Sequence, residues 1–118
     1  MRNLHNLMDP SIIDLSFDTR AVTFENPTGA RGACGSARGG RKGAPYRQLA
    51  PGERVVLADL AGAGTVRHLW MTFPPAPPEV MRALWMEVFY DEASEPSASL
   101  PCVDFFALPH GRPVALPG

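Results

Sequence analysis

The sequence predicts an all-β fold, a sandwich or jelly roll, and three observations lead there. Thirteen prolines and eleven glycines make up about a fifth of the 118 residues and break every helical run. Short segments rich in β-branched and aromatic residues recur from Gly52 onward. Pro- and Gly-rich turns separate them, the texture of many short strands rather than of a helical bundle.

Taken in order, Leu4, Leu7, Met8, Ile12 and Leu15 follow a loose helical spacing cut by Pro10. Residues 1–23 are therefore expected to be a helical or extended leader to a partial β-domain over residues 24–118. Residues 26–43 hold Gly29, Gly32, Gly35, Gly39, Gly40 and Gly43 and almost no large apolar side chain. Such a stretch has little to bury, so a long loop is predicted. Arg54–Asp59 is expected to be a strand, and Thr65–Phe73 is the clearest one. Alternation there puts Leu69, Met71 and Phe73 on one face and Val66, His68, Trp70 and Thr72 on the other. The run Pro74-Pro75-Ala76-Pro77-Pro78 must leave any sheet, because proline donates nothing to a ladder. A short helical turn from Pro78 is expected to run into a strand over Ala83–Tyr90, and a weaker strand follows over Ser97–Cys102. About four strands would leave open sheet edges, which natural domains pair or cover. The chain is thus expected to be a fragment, or a subunit completed by partners.

Composition excludes several classes. A formal net charge of −1 lacks the basic excess needed to coat nucleic acid or an anionic membrane. No apolar run approaches the ~18 residues of a membrane span, and Met1–Asn6 lacks the apolar segment of a secretory signal. A cytoplasmic protein is the expectation. Cys34 and Cys102 form no Cys-x-x-Cys pattern, which leaves a disulfide between them open.

Three groups of residues carry chemistry. Arg31, Arg38, Arg41, Lys42 and Arg47 lie in a stretch with no acidic residue between Asn26 and Gly52, so the loop is able to clamp phosphate, carboxylate or sugar hydroxyls. A solvated or interface loop is the plainer alternative. Gly40 is followed by Arg41-Lys42-Gly43, so no phosphate-binding Gly-Lys-Ser/Thr motif is present. His68 and His110 form no metal-ligand spacing, and no metal or other cofactor is expected. Glu25, Asp59, Glu87 and Asp104 are the candidate carboxylates for glycoside chemistry, which ordinarily needs two. Asp104, beside Phe105-Phe106 and near His110, suits sugar binding through a carboxylate, an imidazole and aromatic faces. An aspartate capping a turn beside core phenylalanines is the alternative there.

Four phrases in order resemble glycoside hydrolase family 172. They are Phe24-Glu25-Asn26-Pro27-Thr28-Gly29, Gly40-Arg41-Lys42-Gly43-Ala44-Pro45, the strand–turn–strand from Leu57 to Trp70, and Asp104-Phe105-Phe106-Ala107-Leu108-Pro109-His110-Gly111. The resemblance implies a tandem jelly roll, of which this chain is the N-terminal part, assembled as a homo-trimer or larger homo-oligomer. It implies retaining hydrolysis of α-linked furanosides: fructofuranosides, difructose dianhydrides or D-arabinofuranosides. The family's two catalytic glutamates lie in a later phrase that this chain lacks, so no catalytic residue carries over and the chain alone is expected to be inactive. Asn26, Arg41, His68, Trp70, Asp104, Phe105 and His110 carry over as candidate substrate-binding positions. Val103 stands where the family has glycine before the aspartate, and Ala107 and Pro109 replace glycines after it. A non-catalytic carbohydrate-binding or assembly module is the alternative function, and an anion-binding protein using the arginine-rich loop is a third.

Overall fold

Two neighbouring segments with opposite backbone preferences meet at Leu84, and the best-defined part of the chain is built around that junction. The computed structural model describes Asp9, residues 11–13 and residues 15–106. These fall into two compact units, one within Met1–Thr65 and one within Val66–Gly118.

In the second unit, helix α1 spans Pro78–Ala83. Proline at its first position costs no hydrogen bond, because that N–H would have no partner in a helix anyway. Glu79 in the first turn and Arg82 in the last complement the helix dipole. The helix stops at Leu84, whose φ −77° and ψ 113° are extended. Strand β1, Trp85–Val88, then pairs antiparallel with β2, Ala98–Pro101. The register sets Trp85 opposite Pro101, Met86 opposite Leu100, Glu87 opposite Ser99 and Val88 opposite Ala98. Backbone bonds from Ser97 N to Val88 O (2.7 Å) and Cys102 N to Leu84 O (2.8 Å) bracket the ladder. Pro101 sits at the strand's end, where a missing N–H is tolerated.

A short helix α2, Cys102–Phe105, follows directly. Its Cys102 and Val103, with Met86 from β1 and Pro101 at the end of β2, are the buried apolar side chains of this unit among the described residues. Val103 is only 2% exposed, so the valine that replaces the family's glycine supplies core volume. Full burial of a valine contributes about 1.5–3 kcal/mol.

The first unit is held by turns. Thr23 and Asn26 exchange both backbone bonds, Thr23 N to Asn26 O at 3.2 Å and Asn26 N to Thr23 O at 3.0 Å. Gly29 follows at φ +64°, where a Cβ would lie 3.1 Å from Val22 Cγ2, so glycine is needed for both conformation and space. A 3-10 turn over Ala37–Gly39 interrupts the glycine-rich stretch.

Several expectations are corrected. Arg54–Asp59 and Thr65–Phe73 join no ladder among the described residues. Strand-like composition secures extension only where a partner takes the backbone groups. Val56, Val66 and Trp70 are accordingly 72–74% exposed. The alternation in the second segment survives in part: Met71 and Phe73 are half-buried and Thr72 between them is exposed. The strand expected over Ala83–Tyr90 shortens to Trp85–Val88, and that over Ser97–Cys102 to Ala98–Pro101, because α1 and α2 claim the flanks. Most of Leu4–Leu15 lies outside the described residues. The part that is described holds one turn, in which Ile12 N donates to Asp9 O and the Asp9 carboxylate accepts from Ser11 N and Oγ.

Candidate functional site

The expected substrate-binding residues divide between the units, with Asn26 and Arg41 in the first and His68, Trp70, Asp104 and Phe105 in the second. His110 lies outside the described residues.

Asn26 is 3% exposed and its side chain is fully engaged. Its Nδ2 donates to Ala21 O and Ala30 O, each at 3.0 Å, and approaches Cys34 Sγ at 3.4 Å. Its Oδ1 accepts from Ala30 N at 3.1 Å. An amide has two N–H donors and a carbonyl with two lone pairs, so both donors and one lone pair of Asn26 are used within the turn. Asn26 organises the Ala21–Cys34 turn. Next to it, Glu25 Oε1 accepts from Ala44 N at 3.4 Å and ties the start of the glycine-rich loop to its end.

Arg41 is exposed at φ +57°, and its neighbour Lys42 at +59°. Gly43 follows under tight constraint, because a Cβ there would lie 2.1 Å from Ala37 O. The Gly-Arg-Lys-Gly phrase therefore folds back on Ala37–Arg38.

In the second unit His68 and Trp70 stand exposed, and so does Leu69 between them, so this stretch does not separate a core face from an outer one. Asp104 is half-buried and accepts a hydrogen bond from Arg82 Nη1 at 2.5 Å, an ion pair between α2 and α1. Phe105 is 45% exposed and packs edge-on against Phe106 with ring centroids 5.3 Å apart. Asp104 thus has a structural partner, and Phe105 offers the free ring face beside it.

Sequence reasoning missed three features of this unit. Arg82 is 22 positions from Asp104 and was read as part of a helical turn. Trp85 donates its indole N–H to Ser99 Oγ at 2.8 Å, which fixes an exposed ring on the hairpin face. A diagonal strand pair of this kind was accessible only from the register. Cys102 Sγ donates to Met71 Sδ at 3.8 Å, and burial pushes its thiol above the usual 9.0.

Among the described residues no three His, Cys, Asp or Glu side chains cluster to hold a metal ion. No described helix is long and apolar enough to cross a membrane. Cys34 and Cys102 are both free thiols. The first unit offers cations, with Glu25 accepting from Ala44 N–H, and the second offers aromatic faces, with Asp104 paired to Arg82. No curated protein and no solved structure matches the chain. Residues 15–118, in contrast, match the family model described as the GH172 first beta-sandwich domain, and the chain therefore belongs to glycoside hydrolase family 172 as a β-sandwich domain of that kind.

Proposed function

We propose that this domain is the non-catalytic N-terminal part, with residues 24–118 forming a partial jelly roll at the start of a tandem jelly roll, of a cytoplasmic retaining glycoside hydrolase. Its substrates are α-linked furanosides: fructofuranosides, difructose dianhydrides or D-arabinofuranosides. The observation that carries the reading is the match over residues 15–118 to a domain described as the first β-sandwich of its family. The four phrases resembling that family run through the same residues in the family's order. The engaged state of Glu25 and Asp104 is in keeping with a catalytic pair supplied by other sequence. Arg41, His68, Trp70, Phe105 and His110 are the positions proposed to face substrate, in an assembly of three or more copies.

The test compares the whole protein with the 118-residue chain on each furanoside class, following the anomeric signals by proton NMR. The whole protein is expected to release sugar with retention and the chain alone to release none. Turnover by the chain alone, or inversion by the whole protein, defeats the proposal.

One observation favours a second reading, a carbohydrate-binding or assembly module. Trp85 is 56% exposed yet held by Ser99, a ring prepared for stacking without any carboxylate pair beside it. Sugar binding by the whole protein with no turnover on any furanoside would establish that role instead.

A further inference from the structure

From Arg38 to Lys42 the backbone takes five successive positive φ values: 51°, 84°, 86°, 57° and 59°. Glycine accepts this readily at Gly39 and Gly40, but Arg38, Arg41 and Lys42 do so against the clash of Cβ with the backbone. The segment is closed on itself. Gly40 N donates to Ala37 O at 3.0 Å, and a Cβ on Gly43 would lie 2.9 Å from that of Arg38. Three cationic side chains therefore spring from one ring of a few residues. The residue after the ring is tied down by the bond from Ala44 N to Glu25 Oε1.

Charge is as concentrated as the backbone. The whole chain carries a net −1, whereas residues 26–52 hold five Arg and Lys and no acid. Arg47 is paired with Glu53. Among the described residues Arg31, Arg38, Arg41 and Lys42 have neither an ion pair nor a side-chain hydrogen bond. Unpaired positive charge is thus concentrated in an exposed ring, and an anion would relieve its mutual repulsion.

We infer that the Ala37–Gly43 ring is a receptor for a phosphate monoester on a small molecule. A carboxylate brings one charge and covers one cation. A phosphate monoester brings about −1.5 to −2 near neutral pH and three terminal oxygens that accept arginine forks. A single ring makes no basic track along a polymer backbone, so a nucleic acid is the poorer fit. The site shares Arg41 with the furanoside reading, and the inorganic phosphate arm of the test, which holds no sugar, separates the two.

The test is a titration of the isotopically labelled full chain with inorganic phosphate, fructose 6-phosphate and fructose, following amide signals by NMR. Both phosphates are expected to move the amides of Ala37–Gly43 saturably, and fructose to leave them unmoved. The variant R38Q/R41Q/K42Q removes charge at exposed positions and is expected to weaken binding roughly tenfold or more. Gly43→Ala keeps every cation but opens the ring, and is expected to weaken binding as well. No saturable shift with either phosphate, equal shifts in the triple variant, or undiminished affinity in Gly43→Ala would each overturn the inference. The last of these would reduce the loop to unspecific charge.

Discussion

Arg82 and Asp104 form an ion pair at 2.5 Å that joins the last turn of α1 to α2 across 22 residues of sequence. The side chains are 38% and 29% exposed, so solvent screens much of the attraction. A partly exposed pair of this kind contributes about 1 kcal/mol or less. Arg82→Gln and Asp104→Asn are each expected to destabilise the chain by about that amount, and the double variant by no more than either alone. Urea unfolding of the four proteins checks this. Fully additive losses would mean that the two residues act separately.

Much of this architecture is legible in the sequence, and the limit is set by sequence distance. The Pro78 helix start and the strands around Met86 and Leu100 rest on local rules and appear. Arg54–Asp59 and Thr65–Phe73 have the composition of strands but join no ladder, since pairing depends on a partner that local composition does not name. The site divides in the same way. His68 and Trp70 are exposed, but so is Leu69, which alternation assigned to the core face. Asn26 had the composition of a sugar ligand, and its use as a backbone clamp depends on Ala21, Ala30 and Cys34 closing around it.

That clamp gives a sharp expectation. Asn26→Ala leaves Ala30 N–H without its acceptor and two carbonyls without their donor in a part-buried turn. Loss of such bonds is expected to cost about 2–3 kcal/mol. Amide hydrogen exchange should accelerate across Ala21–Cys34 and leave β1 and β2 unchanged. Unchanged exchange in the turn would show that its backbone holds without the side chain.

Cys102 provides a pH dependence with a definite sign. Burial raises its thiol above 9.0 in the folded chain, so the folded state keeps a proton that the unfolded state releases. The contribution to stability is therefore complete below 9.0 and declines as pH rises from there towards the raised folded value. Cys102→Ala is expected to flatten the alkaline limb of the stability profile. A thiol reagent at neutral pH should label exposed Cys34 quickly and reach Cys102, 3% exposed, only on unfolding. Equal labelling rates for the two thiols would contradict the burial of Cys102.

The link between β1 and β2 is open to improvement. Ala93 N donates to Tyr90 O at 3.0 Å, and the residues between, Asp91 and Glu92, sit at φ 53° and 57°. Two positive φ values in succession are the type I′ pattern, for which Asn-Gly is the preferred pair because glycine has no Cβ to clash and asparagine tolerates the left-handed region. Two acidic side chains side by side, with Glu95 close in sequence, add repulsion. The double substitution D91N/E92G is expected to stabilise the chain by about 1 kcal/mol through relief of backbone strain, net of the extra freedom glycine gives the unfolded chain. Urea midpoints at low and high salt separate the contributions. A gain that persists at high salt belongs to the backbone, and one that disappears there belongs to charge. A loss of stability would show that the turn does not hold its left-handed conformation in solution.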